Sequence, residues 1–261
     1  MLMRYSPAPR NVHEAFTLIE LLVVMAIIGI LAALLATTLA SAKINAQRKL
    51  CQAEENNFVT AISQYYATYS RLPASTNAVN AVTNSDFTYG TSLTGSSGQL
   101  TNMPVLPGAA SGIITPNCSY QNNNSELIAI LRDDVYYPEY ATNGSQVRGH
   151  IYNSQQHDFY PGKPAAGPTV AGTGPGYPGV GTDDILRDIW GMPYMVTLDL
   201  SGDGRVFDPY LNQMYQKQFP GSMLFVPGQV VVWSLGPGKQ INLTLGSKNT
   251  VNKYMVTSFQ N

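Results

Sequence analysis

Residues 16–39 read FTLIELLVVMAIIGILAALLATTL. One charge, Glu20, stands in that run, and between Leu21 and Ala36 no side chain is polar. At about 1.5 Å per helical residue the run is long enough to cross a hydrocarbon core of about 30 Å. A carboxylate in a spanning helix costs about 2.5–3.5 kcal/mol at the bilayer centre and less near the interface. Whatever offsets that cost at Glu20 is a candidate for the function.

Upstream lies a short polar leader, residues 1–15, with Arg4 and Arg10 opposed only by Glu14. Leader and apolar run together resemble the class III signal of type IV pilins and type II secretion pseudopilins. That resemblance implies a cut between Ala15 and Phe16 by a prepilin peptidase, which leaves the apolar run in the mature protein. It implies N-methylation of Phe16, and it makes Glu20 the glutamate that the family carries five residues into the mature chain. Two positions depart from the pattern: Ala15 stands where pilins usually have Gly, and Thr37-Thr38 where many members have a helix-kinking Pro.

The electrostatics fit the mapping. A cut before Phe16 creates a cationic amine four residues from Glu20, and positions i and i+4 share a helix face. The amine can neutralise its own Glu20 or that of a neighbouring subunit. In the family, pairing with the neighbour sets the axial step of a filament. Unpaired charges in lipid are costly, so pairing also selects register. Other readings stand beside this one. Thr17-Leu18-Ile19-Glu20 fits a capping box, in which Glu20 caps its own helix. The run also suits a plain signal anchor, or a secretory signal, which normally has a small-residue cleavage site after its apolar segment.

Charged residues make up 12% of the 261, and the net charge is −1. That balance argues against nucleic-acid binding, which needs a basic face, and suits an extracytoplasmic surface. The chain without its leader is long enough for one membrane helix and one globular domain. An exported protein can bridge its cysteines, and this one has two, Cys51 and Cys118. Cys51 falls on a predicted helix and Cys118 in a polar loop, so two unpaired thiols are the default.

Beyond the apolar run, Phe58, Ala61, Ile62, Tyr65, Tyr69 and Leu72 recur at three- and four-residue spacing, with Lys43, Arg48, Lys49, Glu54 and Glu55 at other positions. The spacing predicts one helix from Phe16 to about Ser70, roughly 80 Å long, ended by Pro73. The leader arginines orient the leader to the cytoplasm, although Lys43, Arg48 and Lys49 flank the other end of the run. Residues 74–124 show no sustained period and read as irregular, with room for one hairpin. A short helix, SELIAILRDD, follows, with Asn124 or Ser125 as its cap. Residues 150–160 read as a loop, and the Gly/Pro-rich residues 161–181 as irregular. Short strands are predicted at Tyr194–Leu200, Arg205–Phe207, Met223–Val226, Gln229–Leu235 and Tyr254–Phe259, forming an antiparallel sheet.

Two C-terminal segments extend the resemblance. Asp188-Ile-Trp-Gly-Met-Pro-Tyr194 is similar to the D-x-W-G-x-P-Y element of the major pseudopilin, and Ser234-Leu-Gly-Pro-Gly238 to its later S-L-G-x-D-G loop. Residues 122–131, the 150s loop and these elements look most like pseudopilin-like proteins that some bacteria encode in many copies.

Metal chemistry has one sequence candidate. Asp199, Ser201 and Asp203 alternate, and Gly204 stands sixth, as in the first half of an EF-type calcium loop. The twelfth position is Tyr210, so Asp208, at the tenth, is the substitute ligand. The competing reading is a Gly-rich hairpin turn. The resemblance implies calcium through the S-L-G-x-D-G loop, but here that loop lacks its aspartate. Residues 174–179, GPGYPG, match G-x-G-x-x-G by letters only, because the prolines forbid the turn a dinucleotide site needs. His150, His157 and Asp158 are metal-capable residue types in a polar loop that suits solvent exposure. Trp190 and Trp233 read as core.

The expected fold is therefore α+β: a long N-terminal helix, half membrane-embedded and half packed on a C-terminal antiparallel sheet. The expected organisation is leader 1–15, transmembrane half 16–42, amphipathic half 43–73 and extracytoplasmic domain 74–261. The expected role is a non-enzymatic filament subunit, pilin or pseudopilin, in the bacterial inner membrane. Its expected partners are the peptidase, other subunits, the assembly platform and lipid. The alternative is a membrane-anchored lectin-like binding domain that uses the same signal.

Overall fold

The computed structural model describes residues 17–82, 86–89, 93–94, 99–100, 123–134, 149–167, 176–219, 221–238 and 255–259. The expected leader, the Ala15–Phe16 cut, Cys118 and the side chain of His150 lie outside the described residues. The chain divides into two compact units, Met1–Asn45 and Ala46–Asn261.

One helix, α1, runs Leu18–Tyr69. In the first unit its Leu18–Leu35 segment has a mean hydropathy of 2.9 and none of it is buried, so by length and composition it can cross a membrane. Leucine and isoleucine occupy all sides of it, as in a helix solvated by lipid rather than by a core.

In the second unit α1 presents a stripe. Cys51, Glu55, Phe58, Ile62 and Tyr65 are buried, at alternating four- and three-residue steps. Ser70 closes the helix in a left-handed conformation, φ 54°, and its N–H reaches Tyr66 O at 2.7 Å. The stripe packs on a four-stranded antiparallel sheet of order β1-β6-β9-β10: Phe87–Tyr89, Met195–Leu198, Val230–Ser234 and Val256–Thr257. Side chains alternate faces along a strand. Phe87, Tyr89, Val196, Leu198 and Val232 join the α1 core, whereas Met195, Val231 and Trp233 join a second core under α5, Pro209–Gln218. The sheet thus lies between two helices, with two cores, and the sequence alternation assigns each residue its side.

α2, Thr76–Ala81, follows α1 and is capped by Ser75, whose hydroxyl accepts the Ala78 N–H at 3.1 Å. β2, Leu93–Thr94, and β3, Gln99–Leu100, form the one hairpin anticipated between 74 and 124. α3, Ser125–Arg132, is buried from Ser125 to Leu131. Its Glu126 is held by hydrogen bonds: Tyr89 Oη donates to Oε1 at 2.8 Å and the Ser75 N–H at 3.2 Å. α4, Gly149–Tyr152, opens the expected 150s loop. β4, Gly179–Val180, pairs with β5, Leu186–Arg187, and β7, Arg205–Val206, with β8, Val226–Pro227.

Several expectations change. Residues 161–181 are not wholly irregular, because Gly179 and Val180 form β4. α2, β1, α4, β5 and α5 lie where no element was read. β1 is three residues of one buried strand, too short for a period, and α5 starts at a proline within a predicted strand-turn region. Asn124 precedes α3 but makes no cap bond with its side chain. Its amide instead donates to Leu186 O and Tyr194 O at 2.9 Å and accepts from Leu186 N, tying α3 to the sheet edge.

Candidate functional site

The helix start carries the first candidate. Glu20 Oε2 accepts the Thr17 N–H at 2.9 Å and the Thr17 hydroxyl at 2.7 Å, and Thr17 Oγ1 accepts the Glu20 N–H at 3.3 Å. This reciprocal arrangement is the capping box anticipated from Thr17-Leu-Ile-Glu20. Both bonds to the carboxylate use Oε2. Glu20 and its apolar neighbours are exposed, so nothing in the described residues packs over them.

The second candidate joins the two C-terminal segments singled out in the sequence. Asp188 is wholly buried. Its Oδ1 accepts the N–H groups of Trp190 and Met192, both at 2.8 Å. Its Oδ2 accepts the Ser234 hydroxyl at 2.5 Å, and Ser234 Oγ accepts the Gly236 N–H at 2.9 Å. Such charge-assisted hydrogen bonds fix the carboxylate within the turn. Gly191 is required here: its φ is +84°, and a Cβ would stand 2.1 Å from Gly176 O. The D-x-W-G-x-P-Y and S-L-G segments are therefore two sides of one buried junction. Trp233 is fully buried in the α5 core and Trp190 partly buried against the α1 core.

A polar cluster from α1 meets this junction. Tyr194 Oη donates to Glu54 Oε2 at 2.8 Å and lies 3.3 Å from Cys51 Sγ. The thiol also points at Glu55 Oε1, 3.9 Å away. Glu55 is wholly buried, and its Oε2 has no hydrogen-bond partner. Burial first, then the charge of Asp188, pushes the Glu55 carboxyl up to about 9, so it is protonated at neutral pH. Burial and Glu55 likewise raise the Cys51 thiol. The nucleophilic form of cysteine is the thiolate, so Cys51 is an inert core thiol. The sequence reading set Glu55 apart from the apolar stripe. Stepping back by three and four from Phe58 lands on Glu55 and Cys51, and that period was the signal available.

The Asp199–Arg205 segment folds as a turn around its own aspartate. Asp199 Oδ1 accepts the Ser201 hydroxyl at 3.0 Å and the N–H groups of Gly202 at 2.7 Å and Asp203 at 3.3 Å, and Oδ2 accepts Gly204 N–H at 2.9 Å. Asp203 Oδ1 accepts the Arg205 N–H at 2.9 Å. Gly202 and Gly204 take φ of +75° and +79°, which their lack of a side chain permits. Asp86 anchors the turn, accepting Ser201 N–H at 3.4 Å and Phe207 N–H at 2.6 Å. Asp208, the expected tenth-position ligand, has partners of its own. It is the N-cap of α5, with Oδ1 accepting Tyr210 and Leu211 N–H and Oδ2 accepting Thr197 Oγ1–H and Trp233 Nε1–H. Both Asp208 oxygens are therefore engaged at the start of α5 and by the sheet. Among the described residues no group of three or more His, Cys, Asp or Glu is placed to hold a metal. His157 is exposed and its ring lies against Phe159, while Asp158 accepts the Tyr160 N–H.

Residues 10–36 match the family of the prokaryotic N-terminal methylation motif. The chain carries a prepilin-type signal. That signal is the one borne by type IV pilins and pseudopilins, and the α+β fold behind it, a long N-terminal helix and a C-terminal antiparallel sheet, is pilin-like. No curated protein and no solved structure matches the chain.

Proposed function

We propose that the chain is a structural subunit, pilin or pseudopilin, of a type II secretion or type IV pilus-like filament, and that it performs no chemistry of its own. The observation that carries this reading is the methylation motif at 10–36, continuous with a helix whose apolar part is wholly exposed. A prepilin peptidase cuts between Ala15 and Phe16 and methylates Phe16. The processed chain waits in the inner membrane as a single-pass protein with Ala46–Asn261 outside the cytoplasm, until the assembly platform draws it into a filament. Glu20 then accepts the amine of a neighbouring Phe16. Its capping box supports this, since both Thr17 bonds fall on Oε2 and Oε1 is left for the incoming ammonium.

The test is intact mass and N-terminal sequencing of protein extracted from membranes of the native host. The expected chain begins at N-methyl-Phe16, and the same gene expressed without the peptidase yields the uncut chain. A chain that keeps residues 1–15 in the native host would overturn the reading.

A further inference from the structure

The two sides of the sheet in the Ala46–Asn261 unit each carry an exposed apolar feature. On the α1 side, α1 and the 159–163 loop border an open groove of about 810 Å³, a volume typical of binding clefts. Leu50, Ala53 and Ile189 contribute apolar wall, and Glu54 and Lys163 its charges. Leu50 is 61% exposed, on a face of the helix that no part of the described unit covers.

On the α5 side, the chain leaving α5 forms a ridge. Phe219, Met223 and Phe225, within seven positions, are 45%, 56% and 42% exposed. Phe225 stacks on Phe207 at 5.5 Å. Val206 and Val226 of the β7–β8 ribbon turn into the α5 core. Alternation therefore puts Arg205 and Phe207 on the outer face beside Phe225. The turn before them presents Asp203, which like Arg205 is exposed. Single exposed apolar residues need no explanation, but three within seven positions, one of them packed on Phe207, mark a candidate contact surface.

Ridge and groove differ in shape and lie on opposite sides of one sheet. A contact between them is heterologous: it cannot close as a two-fold dimer and propagates as a ring or a helix. Lys163 of the groove is opposite in sign to Asp203 of the ridge, and Glu54, whose carboxyl burial raises and which Tyr194 Oη already holds, is opposite in sign to Arg205. We propose that the ridge of one copy seats in the groove of the next copy of this chain, with Arg205 against Glu54 and Asp203 against Lys163. This rests on the filament reading and adds to it a lateral contact between globular units, separate from the pairing at Glu20.

The test uses the full chain in its native host. Lys163→Glu is expected to lower filament incorporation about five-fold or more, with processing and membrane insertion unchanged. Asp203→Lys in the same chain is expected to restore it, a rescue that loss of folding would not allow. A second arm places Thr60→Cys in the groove and Met223→Cys on the ridge, and oxidation is expected to give a ladder of multiples of this chain. Normal incorporation of Lys163→Glu, failure of the double variant to recover, or cross-links to a different protein would each overturn the proposal. If the unmodified chain is processed yet never enters a filament, the filament reading itself fails, and the result is distinct from all of these.

Discussion

On the proposed reading, the two parts of α1 are one helix in two solvents. From Leu18 to Leu35 it is apolar all round and wholly exposed. From Ala46 onward it is apolar on one stripe, and that stripe is buried under a sheet. Each part holds one glutamate where a carboxylate is expensive. Glu20 is satisfied by its own Thr17 cap and, in the proposed filament, by an amine from outside the chain. Glu55 is neutralised by protonation, with Cys51 near Oε1 and no hydrogen-bond partner at Oε2. The first solution needs a second subunit and so carries assembly. The second is internal and carries only stability.

That contrast is broken most readily at Glu20. Glu20→Ala is expected to leave insertion, processing and the melting of the globular unit unchanged, while filament incorporation beside normal subunits falls about tenfold or more. A tenfold loss corresponds to about 1.4 kcal/mol, less than the cost of one unpaired charge in lipid. Undiminished incorporation, read by quantifying the variant in sheared filaments, would reduce Glu20 to a helix cap.

Asp188→Ala acts on the other side of the comparison. It strands the Ser234 hydroxyl and the Trp190 and Met192 N–H groups in the interior, each worth about 1–3 kcal/mol if left unsatisfied. Water that fills the space left by the carboxylate offsets part of that. A net loss of about 2–4 kcal/mol is expected in denaturant titration of the chain in detergent, with membrane insertion intact. Asp188→Asn keeps an acceptor for the two N–H groups and is expected to lose less.

Glu55→Gln sharpens the contrast through pH. The folded value, about 9, lies above the ordinary 4.5. Between those values the folded chain holds a proton that the unfolded chain has released, so stability falls as pH rises through that window. Below about 4.5 both states are protonated and the group contributes no slope. Glutamine removes the titration. The variant is expected to melt like the wild type near pH 4, to be more stable by about 3 kcal/mol at pH 7, and to show a flatter profile up to pH 9. Parallel profiles for the two proteins would show that Glu55 is ionised in the fold.

The parts of this architecture that were legible in the sequence are those with a long period or a special residue. The apolar run, the Phe58–Leu72 stripe, the α3 segment and the strands around Val196 and Val232 are all marked by spacing. β1 and α5 are not, for physical reasons. β1 is a three-residue strand that pairs through its backbone with β6, a partner far along the chain. α5 draws its N-terminus from Asp208, a cap whose other oxygen is committed to Thr197 and Trp233. Asp188 and Ser234 were visible as motif letters, but their bond depends on a fold that brings residues 46 positions apart together. Glu55 was legible only by treating a charged residue as a member of an apolar stripe.

The smallest effect is expected at Asp199. A calcium ion there would need carboxylate oxygens, and the four oxygens of Asp199 and Asp208 already accept from eight donors. Moving Asp199 onto a cation would release three backbone N–H groups of its own turn, and Asp208 cannot leave α5 without uncapping it, at a cost of about 1 kcal/mol or more. Six to eight ligands are the usual requirement, and Asp203 with the Ser201 hydroxyl falls short of it. Binding to the folded state would raise stability by RT ln(1 + [L]/Kd), so millimolar calcium is a sensitive probe of even a weak site. The chain in detergent is expected to melt within about 1 °C in calcium and in chelator, and Asp203→Ala is expected to leave that small difference unchanged. A rise of several degrees in calcium that Asp203→Ala abolishes would mean that the turn opens its aspartates outward, and would restore the calcium loop suggested by the spacing of Asp199, Ser201 and Asp203.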